Sequence, residues 1–93
     1  MAVAIMVEVP GITAAQYDAA IKEVFPGGKA PQGLISHVAG PADGFWRAVD
    51  VWESQQAFDT FAQNALGPAL HNAGVQGVPV IKSWAVHNSI HTH

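Results

Sequence analysis

The stretch Gly44–Ser54, GFWRAVDVWES, is the sequence feature that most constrains the fold of this chain. Its composition predicts a β-strand over Phe45–Trp52, in which successive side chains point to opposite faces. One face carries Trp46, Ala48, Asp50 and Trp52, and the other carries Phe45, Arg47, Val49 and Val51. Because both faces bear large apolar groups, this strand needs cover on two sides.

Apolar runs predict three further strands. They span Met1–Val9, Leu34–Ala39 and Val80–His87. Pro10 and Gly11 are expected to end the first strand, and Gly40–Gly44 is expected to form the turn before Phe45.

Two helices are predicted between these strands. The first spans Thr13–Phe25, starts at a capping box of Thr13 and Gln16, and is followed by a loop over Pro26–Gly33. Its apolar stripe consists of Tyr17, Ile21 and Val24. The stripe of the second helix consists of Phe58, Phe61, Ala62, Ala65 and Ala69.

Polar and small residues set the ends of the second helix. Ser54 is the predicted N-cap, and Asn72–Gly77 closes the helix, with Gly74 just after its end. Gly67 and Pro68 fall inside the pattern and are expected to kink or interrupt the helix.

The order strand, helix, strand, strand, helix, strand predicts a single α+β domain over residues 1–93 with a ferredoxin-like βαββαβ fold. Its four-stranded antiparallel sheet has the first and third strands in the middle and both helices on one face. The simplest cover for the other face is the same sheet of a second copy, which predicts a homodimer with a barrel-like core. The alternation of side chains along the strands does not by itself decide which face of the sheet meets that partner.

Composition narrows the classes of function. Charged residues make up 12 % of the chain, half the usual ~25 %, whereas hydrophobic residues reach 49 %. The net charge of −3 with four Lys plus Arg argues against nucleic acid and anionic membranes as partners. Without cysteine, the chain has no disulfide and no thiolate metal site, and a cytoplasmic protein is the expectation.

Two segments carry a resemblance to a known class. GLISHVAGPADGFWRAVDVWESQQAFDTFAQNALGPAL (residues 33–70) and VHNSI (residues 86–90) are similar to small bacterial proteins of the dimeric α/β barrel superfamily. That superfamily includes antibiotic biosynthesis monooxygenase-like proteins. The resemblance implies a small cavity between sheet and helices, with an aromatic or polyketide-like substrate and a monooxygenase-like reaction that needs no cofactor.

His37 and Arg47 are the predicted catalytic residues of such a reaction. His37 would accept a proton from the substrate, since imidazole titrates near neutral pH. Arg47 would stabilise the resulting anion. The alternatives are a hydrogen-bonded strand histidine for His37 and a cross-strand or inter-subunit salt bridge for Arg47.

The substrate-binding candidates are mainly aromatic. They are Trp46, Trp52, Trp84, Asp50 and Tyr17. At least two of the three tryptophans are expected to serve the core or an interface instead. Asn64 is a further polar candidate, although periodicity places it on the wet side of its helix.

Other histidines suggest weaker alternatives. In haem-degrading relatives the axial ligand lies near the end of the second helix, a position that His71 resembles. His87, His91 and His93 form no metal-binding motif. Two other functions therefore stay open, namely a haem-binding or haem-degrading protein and a non-catalytic dimer that binds a ligand or serves in a stress response.

Overall fold

The computed structural model describes residues 1–90, and it confirms the predicted fold. The strands are β1 (Val3–Pro10), β2 (Leu34–Ala42), β3 (Phe45–Trp52) and β4 (Val80–Ala85). The helices are α1 (Ala14–Val24), α2 (Gln55–Phe61) and α3 (Gly67–Asn72). The antiparallel sheet has the order β2-β3-β1-β4, so β1 and β3 are central.

Side-chain caps fix the starts of the helices. At α1, the Gln16 backbone N–H donates to Thr13 Oγ1 at 3.1 Å, and the Thr13 N–H donates to Gln16 Oε1 at 3.0 Å. At α2, the Ala57 N–H donates to Ser54 Oγ at 3.1 Å. These bonds satisfy backbone donors that a helix cannot satisfy internally, and both predicted caps are confirmed.

The predicted interruption of the second helix takes the form of a wide turn. Residues 62–66 form a π-helical segment between α2 and α3, in which the Gly67 N–H donates to the carbonyl of Ala62, five residues earlier. Pro68 has no N–H to offer the carbonyl four residues before it, so a regular α-helical ladder cannot pass this point. The helix therefore widens here before it continues as α3.

The β2–β3 hairpin is tighter than the sequence pattern indicated. Strand β2 continues to Ala42, and the turn consists of Asp43 and Gly44 alone, with φ values of 52° and 83°. Positive φ at both central residues is typical of the type I′ turn that suits a two-residue hairpin. The predicted turn over Gly40–Gly44 is wrong, because residues 40–42 pair with β3.

The helices cover one face of the sheet. Ile5 and Trp52 are fully buried there, and Phe58 packs edge-on against Trp52 with ring centroids 5.8 Å apart. A second buried cluster joins α1 to α3 through Ala20, Val24 and Ala69. The core thus lies between sheet and helices, and the face of β3 with Trp52 points into it.

The opposite face of the sheet, here called the open face, has no cover in a single chain. Its members by register are Ala4, Met6, Glu8, Ser36, Val38, Gly40, Ala42, Phe45, Arg47, Val49, Val51, Val80, Lys82 and Trp84. Val38 is 67 % exposed and Trp84 is 52 % exposed. Most of these groups are apolar, so the open face is suited to packing against another surface.

Substitutions at two glycines with positive φ distinguish the cost of backbone strain from the cost of a steric clash. Gly33 has φ +92°, and a Cβ built on it would lie 2.8 Å from Ala57 Cβ, whereas Gly44 has φ +83° and open space around it. Gly44→Ala should cost about 1–2 kcal/mol of unfolding free energy, because it carries only the left-handed strain. Gly33→Ala should cost about 1–3 kcal/mol more because of overpacking.

Urea denaturation of the two variants measures this difference. Gly11→Ala serves as the control for backbone strain alone, because Gly11 has φ +71° and no atom within 4 Å of its added Cβ, so it should match Gly44→Ala. Equal destabilisation by Gly33→Ala and Gly44→Ala would contradict the packing assigned to Gly33.

Candidate functional site

A cavity of about 60 Å³ lies between the sheet and the helices. Apolar side chains make up most of its wall, among them Val9, Val24, Phe61 and Leu66. The polar groups in the wall come from four residues on three elements. These residues are Tyr17 of α1, His37 of β2, and Trp46 and Asp50 of β3.

Asp50 is the buried charged residue of this site, with 5 % of its surface exposed. Its Oδ1 lies 2.5 Å from His37 Nδ1, and its Oδ2 accepts a hydrogen bond from Trp52 Nε1 at 3.1 Å. Each carboxylate oxygen therefore has a partner, as a buried charge requires. A carboxylate can only accept, so Nδ1 of His37 carries the proton of this bond.

His37 links Asp50 to Tyr17. Its second ring nitrogen, Nε2, lies 2.7 Å from the Tyr17 hydroxyl oxygen. With Nδ1 protonated, Nε2 of the neutral ring is an acceptor, and the Tyr17 hydroxyl donates to it. The result is a continuous chain from the Asp50 carboxylate through the His37 ring to the Tyr17 hydroxyl, here called the relay.

The surroundings of Tyr17 favour its neutral form. Burial raises the pKa of the Tyr17 hydroxyl above its ordinary value of 10.0, and the negative charges of Asp50 and Asp18 raise it further. At neutral pH the hydroxyl therefore keeps its proton, as its hydrogen bond to His37 requires.

Trp46 lies beside the relay. Its ring centroid is 4.9 Å from that of Tyr17, and the two planes are tilted by 31°. Its Nε1 is buried and has no hydrogen-bond partner within residues 1–90. Trp46 therefore lies in the cavity wall with an unused donor, and its role in substrate binding stays a prediction.

Two predicted site residues lie on the wrong side of the sheet. Arg47 is on the open face, where its Nε and Nη2 donate to Glu8 Oε2 at 2.9 and 2.6 Å. Trp84 is on the same face, opposite Ala4 of β1. Neither side chain reaches the cavity of its own chain, so the roles of anion stabiliser and substrate wall are wrong for these residues, and the salt-bridge alternative holds for Arg47.

Other candidates also lie away from the cavity. Trp52 is fully buried in the core and does not line the cavity. It contacts the site through its bond to Asp50 and through its ring packing on Phe61, with centroids 5.0 Å apart. Asn64 and His71 are exposed, and neither lines the cavity. A haem is far larger than a 60 Å³ space, and the residue implied as its ligand is absent from the wall, so the residues present do not fit this group.

Metal and membrane sites have no support in the described part of the chain. Within residues 1–90, no group of three His, Asp or Glu side chains is arranged to hold a metal ion. In the same range, none of the helices is long and apolar enough to cross a membrane. His91 and His93 lie outside the described residues.

The pairing of His37 with Asp50 was missed at the level of sequence, although both residues were candidates. The signal for it is the Asp43-Gly44 dipeptide, which is typical of a two-residue hairpin turn. Counting outward from the Ala42–Phe45 pair then places His37 opposite Asp50, as observed.

The pKa of Tyr17 is directly measurable, because Tyr17 is the one tyrosine of the chain. A titration followed by tyrosinate absorption should show a midpoint above 10.0, which returns to about 10 in urea. Asp50→Asn should lower the midpoint only in part, since burial is the larger cause. Asp59→Asn, on the exposed side of α2, is the control, and a wild-type midpoint at or below 10.0 would contradict the geometry of the relay.

Comparison with known proteins supports the fold. No protein-family profile matches the chain, and no curated protein is significantly similar to it in sequence. Among solved structures, a mutant of SnoaB, a cofactor-independent oxygenase from Streptomyces nogalater, matches with a TM-score of 0.68 at 14 % identity over 96 % of both chains.

Two further structures illustrate the range of matches. The monooxygenase ActVA-Orf6 of Streptomyces coelicolor, in complex with nanaomycin D, matches with a TM-score of 0.65 at 18 % identity, over 98 % of this chain and 92 % of its own. NE2512 from Nitrosomonas europaea, a protein of unknown function, matches with a TM-score of 0.73 at 11 % identity, over 99 % and 95 %. The resemblance to antibiotic biosynthesis monooxygenase-like proteins is thus confirmed at the level of the fold.

Proposed function

We propose that this protein is a monooxygenase-like enzyme that needs no cofactor and acts on an aromatic or polyketide-like substrate with an acidic hydroxyl or enol group. The observation that carries the proposal is the relay of Asp50, His37 and Tyr17 at the wall of an apolar cavity. A buried carboxylate bonded to Nδ1 holds the imidazole in the tautomer whose Nε2 can accept a proton, and it supplies a counter-charge when the ring does so.

The solved structures support the reaction class by analogy of fold. SnoaB is described as a cofactor-independent oxygenase, and ActVA-Orf6 is described in complex with the ligand nanaomycin D. Because one fold hosts many reactions, the argument for this chain depends on its own site.

The proposed reaction begins with removal of a proton from the substrate by the relay. The proton ends on His37, where the Asp50 carboxylate stabilises the imidazolium. The substrate anion then reduces dioxygen. For an activated CH2 group, one oxygen atom becomes the carbonyl of the product and the other leaves as water, which accounts for both oxygen atoms and all electrons.

The size of the cavity limits the substrate. Pockets for drug-sized ligands usually measure about 300–1,000 Å³, and an apolar cavity of about 150 Å³ can take benzene. The 60 Å³ space here therefore admits a ring only when half-buried wall residues such as Phe25 and Leu66 move aside. A substrate of one or two rings is consequently favoured over a large polycycle.

Oxygen uptake with 1,4-dihydroxynaphthalene tests the proposal. We expect uptake above the spontaneous rate. One atom of labelled dioxygen should appear in the product, 2-hydroxy-1,4-naphthoquinone, because the diketo tautomer of the probe carries the CH2 group that becomes a carbonyl, while the other atom leaves as water. His37→Gln should lower the enzymatic rate by about 10²–10⁴-fold, the usual contribution of a general base. His87→Gln, at an exposed position after β4, is the matched control and should keep the wild-type rate.

Equal rates in the wild type and in His37→Gln would overturn the role of the relay. Absence of uptake above background across one- and two-ring phenols and enols would overturn the reaction class.

A non-catalytic ligand-binding dimer is the second candidate, and the small cavity favours it. In that case the relay orders the core around Asp50 instead of moving a proton. The same oxygen assay distinguishes the two functions, because a ligand-binding protein leaves the spontaneous rate unchanged.

We further propose that the open face packs against the open face of a second copy. In the single chain two of its large apolar groups, Val38 and Trp84, are 67 % and 52 % exposed. Its opposite charges at Glu8 and Arg47 already neutralise each other, so face-to-face packing buries few unpaired charges. A two-fold pairing of this kind lets one apolar surface cover itself.

Sedimentation at micromolar concentration tests the pairing. We expect a wild-type species of twice the chain mass. Val38→Asp should weaken the dimer by at least about tenfold in Kd, because it buries a charge at the interface. Ala19→Asp, on the exposed side of α1, should leave the dimer intact. Only single folded chains in the wild type would refute the pairing.

A further inference from the structure

The indole nitrogen of Trp46 is the unsatisfied donor of the cavity wall. Among side-chain nitrogen and oxygen atoms of residues 1–90, Trp46 Nε1 is the one that is buried without a hydrogen-bond partner. Buried polar groups in proteins nearly always have partners, so an orphan at a ligand cavity points to a group that arrives with the ligand. By contrast, the Trp52 N–H nearby is already bonded to Asp50.

The Tyr17 hydroxyl offers an unused hydrogen-bond acceptor that complements the Trp46 donor. Its hydroxyl proton is engaged with His37 Nε2, which leaves the lone pairs of the oxygen free to accept. The Tyr17 and Trp46 rings lie side by side, with centroids 4.9 Å apart, and both line the cavity. The wall thus contains an unused donor on one ring and an unused acceptor on the ring next to it.

A hydroxyl is the group that uses both. It donates one hydrogen bond and accepts others, whereas a methyl group does neither and a carbonyl only accepts. We infer that the cavity recognises a ring hydroxyl, phenolic or enolic, whose proton bonds to Tyr17 Oη and whose oxygen accepts from Trp46 Nε1–H. The inference rests on the proposed function in treating this cavity as the substrate site, and it names the substrate's polar group.

This arrangement also assigns the proton path. The ligand hydroxyl gives its proton to Tyr17 Oη as the Tyr17 proton passes to His37 Nε2. Tyr17 is neutral before and after, His37 becomes an imidazolium next to the Asp50 carboxylate, and the ligand becomes an anion bonded to Trp46. Tyr17 is then the group that touches the substrate, and Asp50 is a positioning residue.

Binding of phenol and toluene tests the inference, since the two molecules differ only by OH in place of CH3. The indole N–H resonances of ¹⁵N-labelled protein report each tryptophan separately. We expect phenol, but not toluene, to move the Trp46 signal downfield, while the Trp52 signal stays in place because it is already bonded. The Trp46 signal is identified by its loss in Trp46→Phe.

The ratio of phenol affinity to toluene affinity provides the quantitative readout. Trp46→Phe and Tyr17→Phe should each lower this ratio by about five- to tenfold, the loss expected for one hydrogen bond. If Trp46→Phe does not fold, Tyr17→Phe and the wild-type indole shift still decide the matter. A ratio unchanged within twofold in a folded variant, a Trp46 signal unmoved by phenol, or no binding of either compound would overturn the inference.

These outcomes are separate from those of the oxygen assay. Selective phenol binding without oxygen uptake would overturn the proposed reaction and leave the hydroxyl site standing. Oxygen uptake with an unchanged affinity ratio would do the reverse.

Discussion

The buried carboxylate of Asp50 is the constraint on which the rest of the site depends. A charge with 5 % exposure in a central strand is tolerated only when its oxygens are bonded. One oxygen takes the Trp52 indole, which belongs to the same strand, and the other takes His37 from the neighbouring strand. His37 in turn fixes the hydroxyl of Tyr17 on α1, so one charge orders side chains from three elements.

The two faces of the sheet have different roles. Toward the helices, β1 and β3 supply the core and the polar wall of the cavity. On the open face, Glu8 and Arg47 form a salt bridge with each other, and the remaining groups are largely apolar. A chain with so few charges thus concentrates its chemistry on one face and its contact surface on the other.

Sequence periodicity predicted the element order, both helix caps and the central strands, because these depend on local patterns. It placed Arg47 and Asp50 on opposite faces, but it could not decide which face the helices cover. The face that the helices cover is decided by the packing of Trp52 against Phe58, a contact between distant segments. Because the helices cover the face of Trp52, Arg47 and Trp84 lie on the other face, away from the cavity.

Contacts between distant segments were harder to foresee. The pairing of His37 with Asp50 follows from hairpin register, so a closer interpretation of Asp43-Gly44 would have found it. The bond from Tyr17 to His37 depends on how α1 docks on the sheet, and the orphan nitrogen of Trp46 depends on everything around it. Neither the Tyr17–His37 bond nor the unpartnered Trp46 nitrogen can be predicted from residue spacing in the sequence.

The wide turn over residues 62–66 determines which side of α3 faces the sheet relative to α2. It holds one residue more than an α-helical turn, and each residue of a helix accounts for a rotation of about 100°. Phe61 before the turn and Leu70 after it both face the cavity. A homologous chain that lacked this extra residue would turn one of the two walls away, so insertions and deletions at this point reshape the pocket without touching its polar groups.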